Sequence, residues 1–150
     1  MTTKHDALTF LQQHKLAVLS TQSTEGGLDG AAIYYVGKDN KILYFLTHKE
    51  SHKFKNIIAH DTAALTIVDE KLQQTIQAKG KVAEVAIGQE HDEALRLLAK
   101  LGNKNSVWGP PVSKMPIGEI TLCRFTVEHM RFSDFKSASL HSGAHFIDIV

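Results

Sequence analysis

Between Lys41 and Asn56 the chain reads KILYFLTHKESHKFKN, and these residues are the ones best suited to chemistry. Thr47 closes a β-branched and aromatic run. Four residues on, Ser51 precedes a segment with helical spacing, Phe54, Ile57 and Ile58 falling on one side. Ser is a favoured N-cap because its hydroxyl accepts a hydrogen bond from an orphan amide of the first turn. Lys49, His52, Lys53 and Lys55 crowd basic groups around that helix start. The N-terminus of a helix already carries partial positive charge. Basic side chains there have the wrong sign unless an anion is held by dipole and side chains together. Thr47, Ser51, His52 and Lys53 therefore form a candidate phosphate cradle. The competing reading is a solvated basic turn, whose self-repulsion costs only about a few tenths of a kcal/mol.

The elements that must position this stretch are mostly strands. Residues 4–14 have the spacing of a short amphipathic helix, with Ala7, Leu8 and Leu11 on one stripe. Leu16–Thr21 and Leu28–Val36 read as strands around a turn at Ser23–Gly27. Gly37-Lys38-Asp39-Asn40 is a hairpin loop into the strand Lys41–Leu46. After the short helix come the strand Ala63–Val68, a turn at Asp69–Lys71, and a long strand pattern from Leu72 to Ile87. Gly80 inside that pattern marks a bulge or sharp bend. Gly88–Gly102 is the clearest helix, with an apolar stripe of Leu95, Leu98 and Leu101 broadened by Ala94 and Leu97. Asn103–Gly118 is a loop holding all three prolines and Trp108. Glu119–Phe132 is the last long strand, and residues 133–150 are a C-terminal tail ending in an apolar run. The expected fold is mainly β with peripheral helices, an antiparallel barrel or sandwich, as a single domain over residues 1–150.

Composition bounds the partners. The chain has 150 residues, 43% hydrophobic and 22% charged, with a net charge of +1, which suits one domain with its own core. That charge gives no electrostatic reason for a nucleic acid or an anionic membrane as partner. The first ten residues lack the apolar stretch of a secretion signal, and no run is long enough to span a bilayer. A cytoplasmic location is the expectation. The lone Cys123 excludes an internal disulfide, and its strand face, shared with Thr121, Phe125 and Val127, gives it a packing role.

The order of these elements resembles the flavin-binding split β-barrel superfamily of pyridoxamine 5′-phosphate oxidase and its general-stress-protein relatives. The resemblance is carried by Tyr44-Phe45-Leu46-Thr47, by Ser51-His52-Lys53, by the strand Ala63–Val68, and by Thr75-Ile76-Gln77-Ala78-Lys79-Gly80-Lys81-Val82. It covers roughly residues 5–132, with no gap needed between Ala31 and Val82. In that family an aromatic-Thr pair ends a strand, and Ser, four residues later, is followed by Arg-Lys; these groups hold the FMN phosphate. Here Thr47, Ser51 and Lys53 match, and His52 replaces the Arg. The resemblance implies FMN as cofactor, a small-molecule substrate, a homodimer, and a site at the subunit interface. Leu46, Tyr34, Thr75 and Trp108 are the further candidate cofactor contacts.

The departures narrow the activity. The family's oxidases begin the strand before the hairpin with Arg and end it with Lys, where this chain has Ala31 and Val36. Their flavin-facing Gln falls on Thr75, and their C-terminal Trp and Arg segment has no counterpart after Phe132. The resemblance therefore points to the shorter stress-protein branch and an FMN-dependent oxidoreductase other than a pyridoxamine phosphate oxidase. A haem-binding split barrel is the main rival, and a dimeric binding module without catalysis is a third reading. The nine histidines include two pairs at a spacing of four, His48/His52 and His141/His145, but neither comes with a carboxylate pattern. No metal site is expected. The dimer has its own motive: Ala32–Val36 is apolar on both faces, and a small barrel has only one inside.

Overall fold

The computed structural model describes residues 4–103, 119–136 and 146–149. Strict alternation sets which way each strand faces. In the strand Thr62–Asp69, Ala63, Leu65 and Ile67 are buried and the residues between them are turned outward. Leu16–Gln22 and most of Gln74–Glu84 keep the same period, whereas parts of Ile42–His48 and Ile120–Asp134 are buried on both faces. The order is α1 (Lys4–Gln13), β1 (Leu16–Gln22), β2 (Leu28–Gly37), β3 (Ile42–His48), α2 (His52–Ala59), β4 (Thr62–Asp69) and β5 (Gln74–Glu84). There follow α3 (Gln89–Ala99), which runs into a 3-10 turn (Lys100–Asn103), β6 (Ile120–Asp134) and β7 (Phe146–Asp148).

The strands lie in the order β3-β2-β1-β4-β5-β6-β7, every neighbouring pair antiparallel. β3 also pairs with β6, from Ile42 opposite Thr126 to His48 opposite Ile120, and this closes a six-stranded barrel. The interior holds Leu19, Ile33, Tyr35, Phe45, Leu65, Ile76, Phe125 and Phe132. Each such side chain contributes about 1.5–3 kcal/mol on burial. α1 adds Ala7, Phe10 and Leu11 to the same core, and the Tyr35 hydroxyl donates to the Leu11 carbonyl at 2.7 Å. A second cluster lies outside the barrel wall, where Tyr44, Leu122, Val85 and Ala94 meet under α3 with Val36, Ile42, Leu46 and Leu98. No helix among the described residues is long and apolar enough to cross a membrane.

The expected split barrel with peripheral helices is therefore the observed fold. Its bounds differ in instructive places. β5 begins at Gln74 and ends at Glu84, because Asp69 caps the preceding turn through the Leu72 amide (2.9 Å) and Ile87 is left 90% exposed. The bend expected at Gly80 is a bulge, and the register shows its extra residue to be Glu128 on β6. A side chain at Gly80 would collide with the Thr126 carbonyl oxygen, so the bulge demands glycine there. Leu95 and Ile58, placed on apolar stripes by helical spacing, are exposed instead; Ala94 and Ile57 are the buried positions. The tail's first two residues, Ser133 and Asp134, extend β6, and Phe146–Asp148 pairs with its end.

Candidate functional site

The stretch after β3 folds as its residue types require. Ser51, in extended conformation, caps α2, its hydroxyl oxygen accepting from the Phe54 amide at 3.2 Å. Thr47, buried on the inward face of β3, meets that hydroxyl at 3.1 Å. Ser51's own amide donates to the His48 carbonyl at 3.0 Å, closing the turn between strand and helix. α2 is pinned over this end of the barrel by Asn56, whose buried side-chain amide donates to Thr21 Oγ1 (3.0 Å) and Asp29 Oδ2 (2.8 Å).

With Phe54's amide capped, the first-turn amides of His52 and Lys53 remain without an intrahelical acceptor. Among the described residues they have no other acceptor. Lys53 is half-buried, and burial lowers the pKa of its ammonium. The nearby Cys123 thiol offsets this only in part. Among the described residues the Lys53 ammonium has no hydrogen bond or ion pair. Two open amides and two mutually bonded hydroxyls thus meet at one helix start, whose first turn also carries a desolvated ammonium. That donor set fits a phosphate: it offers only donors and hydroxyls, and a dianion would satisfy the groups the fold leaves open. His52 is exposed beside it.

The other expected contacts are spread around the barrel. The Leu46 side chain lies on the opposite face of β3 from Thr47, packed in the cluster under α3. Tyr34 is on the outer face of the sheet, its ring 6.0 Å from the Lys15 ammonium, while Tyr35 is wholly inside. Thr75 faces outward on β5 and shares a hydrogen bond with Ser133 on β6. Farther along that outer face, Thr66, Gln77, Lys79, His129 and Arg131 line a groove of about 320 Å³. Trp108 lies outside the described residues, as do His141 and His145. Among the described residues, the expected contacts that come together within one chain are Thr47, Ser51, His52 and Lys53.

Sequence reading missed the groups that hold this turn in place. His48 Nε2 meets Glu119 Oε2 at 2.6 Å, and its Nδ1 accepts from the Glu50 amide at 3.0 Å. The Lys49 amide donates to the Glu119 carbonyl at 2.7 Å. The local signal was there: an acceptor side chain two residues before a turn amide is the geometry of an Asx turn. Its partner, 71 residues away, left no trace in the sequence. Below the turn, Thr121 donates to Glu84, beside Cys123. Burial first, and Glu84 second, push the Cys123 thiol up to about 12, which leaves it inert.

Solved structures of known proteins share this architecture. A Clostridium acetobutylicum protein related to general stress protein 26 aligns over 97% of this chain and 94% of its own, with 13% identity and a TM-score of 0.67. HupZ of Group A Streptococcus aligns over 97% and 98%, with 16% identity and a TM-score of 0.64. An F420 reductase aligns over 81% and 93%, with 17% identity and a TM-score of 0.62. At such identities the likeness shows the fold. No curated protein sequence matches the chain significantly. The pyridoxamine 5′-phosphate oxidase family matches residues 3–134. With the closed barrel and nearly the whole chain covered, the chain belongs to the pyridoxamine 5′-phosphate oxidase family.

Proposed function

We propose that the protein binds FMN, with the phosphate held by Thr47, Ser51, His52 and Lys53, and that it is a flavin-dependent oxidoreductase acting on a small molecule. The observation that carries this reading is Lys53: an ammonium desolvated by burial, without a partner among the described residues, beside two open helix-start amides. Family membership and the fold shared with an F420 reductase support the reaction class. When bound, FMN supplies the redox chemistry. The chain's own residues anchor the phosphate and exclude water from one side of it. Ala31 and Val36 stand where the family's oxidases place cations, so Lys53 carries a larger share of the anchoring.

FMN titration followed by fluorescence quenching tests the anchor. Lys53→Met weakens binding at least about tenfold, which is ~1.5 kcal/mol. Equal affinity in variant and wild type removes the phosphate assignment, and a wild type that binds no FMN removes the cofactor. A Soret band in the purified protein's absorption spectrum moves it to the haem binders.

The same reading includes a homodimer whose cofactor site spans both chains. Its support is the outer face of β1 and β2. α3 covers the side that carries Val36, but Leu16 and Val18 stay 46% and 47% exposed, with Ala32 directly opposite Val18. The terminal strand β7 pairs with β6, which is not a neighbour of β1 or β2. A second copy would bury this patch. Val18→Asp yields monomers of 16.6 kDa in sedimentation equilibrium and loses FMN affinity with the dimer. A wild type already at that mass contradicts the dimer. FMN bound equally well by the monomeric variant puts the site on one chain.

A further inference from the structure

We infer that His48 is the positioning residue of the β3–α2 turn, and that its neutral form, protonated on Nε2, holds the phosphate cradle open for its anion; this rests on the cradle reading above. The two ring nitrogens face opposite kinds of group. Nε2 lies 2.6 Å from the Glu119 carboxylate, which accepts, and Nδ1 lies 3.0 Å from the Glu50 amide, which donates. Only a ring with its proton on Nε2 and a lone pair on Nδ1 satisfies both. The ring therefore stands in for the side-chain oxygen of an Asx turn, and the turn it braces is the one closed by the Ser51 amide on the His48 carbonyl. Ser51 caps α2 and meets Thr47, so the brace sets the first turn whose amides await the anion.

Adding a proton to Nδ1 makes it a donor facing a donor. The Glu50 amide then loses its acceptor, and the turn must open to relieve the contact. Among the described residues, the titratable groups bonded to His48 or neighbouring it in the turn are Glu119 from the segment before β6, Lys49, Glu50 and His52, and Lys55, which approaches Glu50 from α2 at 4.0 Å. Glu119 gains from the extra charge but already holds the ring through Nε2, so its bond survives protonation. The amide's bond does not. Acid pH should therefore loosen the cradle without unseating His48 from Glu119.

The experiment measures FMN affinity from about pH 8 to about pH 5 in wild type, His48→Asn and His48→Ala. Asn keeps an acceptor for the amide two residues on and takes up no proton. Wild-type affinity falls about fivefold on the acid side. His48→Asn loses that acid limb while keeping the neutral-pH affinity, and His48→Ala is weaker by about the same factor throughout. An acid limb unchanged in His48→Asn, or full affinity in His48→Ala, overturns the proposal. Nitrogen chemical shifts of the His48 ring in cofactor-free protein decide it apart from FMN. An Nε2–H tautomer whose titration moves the Glu50 amide with the same midpoint supports the brace, and an Nδ1–H tautomer overturns it. If wild type binds no FMN, the cofactor reading fails while this second measurement still gives its answer on the turn.

Discussion

Two charged clusters border β3, and they are built on opposite terms. On its outer side, Arg124 Nη1 reaches both carboxylate oxygens of Glu90 at 2.6 and 2.8 Å, and the Tyr44 hydroxyl donates to Glu90 Oε2 at 2.8 Å. The Arg124 guanidinium first, and Tyr44 second, hold the Glu90 carboxyl below its usual range. Burial first, and Glu90 second, push the Tyr44 phenol up to about 12. Every charge in that cluster has its counterpart in the chain. At the end of β3 the Lys53 ammonium is also taken partly out of water, and among the described residues nothing answers it. Burying polar groups costs free energy unless they are paired, so this half-buried cation carries a cost that the first cluster's groups offset for one another. The first cluster docks α3; the second is the one proposed to take an anion.

Breaking the first cluster gives the larger effect on stability. Glu90→Ala leaves Arg124 and Tyr44 without their acceptor and frees α3 from the barrel wall. The expected loss is about 1–2 kcal/mol by urea unfolding, the lower figures reflecting that Glu90 is 40% exposed and screened. Because its folded-state pKa is depressed, Glu90's contribution is present above the ordinary carboxylate pKa and fades as pH falls through the lowered value. FMN affinity should stay within about twofold of wild type. A large loss of FMN binding with stability intact would erase the distinction between the two clusters.

The second cluster predicts the reverse pattern. Lys53→Met removes a desolvated charge from beside Cys123, so stability without cofactor should hold or rise by up to ~1 kcal/mol. The sign with pH follows. A lysine whose folded pKa is lowered costs stability while protonated in both states, and that cost disappears as pH rises from its folded to its ordinary pKa. The advantage of the Met variant over wild type should shrink over that alkaline window. A variant that is less stable at neutral pH would mean that Lys53 is structural after all.

The difference between the clusters also marks what a sequence can disclose. Ser51 as cap, Thr47 four residues before it and the lysines after it are local relations, readable from spacing, and they fold as read. So is the alternation of Ala63, Leu65 and Ile67. Glu90 with Arg124, His48 with Glu119 and Asn56 with Asp29 are 34, 71 and 27 residues apart, and nothing local announces them. Gly80 was legible as a bend, because glycine interrupts a strand for few reasons, yet the extra residue it accommodates sits on the partner strand. Leu95 misled because helical spacing defines a stripe without saying how much of it the barrel can cover. The Ser51 cap and its contact with Thr47 were legible, and the His48–Glu119 contact was not, since it is tertiary.

The smallest expected effect belongs to His52, which stands where the family's oxidases carry Arg and is exposed beside the open amides. An Arg presents a planar, permanently charged fork to phosphate, whereas a histidine adds charge only when protonated. FMN affinity should therefore be higher with His52 protonated than with it neutral, by only about twofold to fivefold, because an exposed pair is screened by solvent and salt. His52→Arg should remove that alkaline decline and tighten binding at neutral pH. The acid decline assigned to His48 would survive the change, since its origin is a lone pair on the other side of the turn. Wild type would thus show a bell, His52→Arg its acid limb alone, and His48→Asn its alkaline limb alone. Identical profiles for wild type and His52→Arg would mean that His52 does not touch the phosphate and that Lys53, with the two amides, holds it unaided.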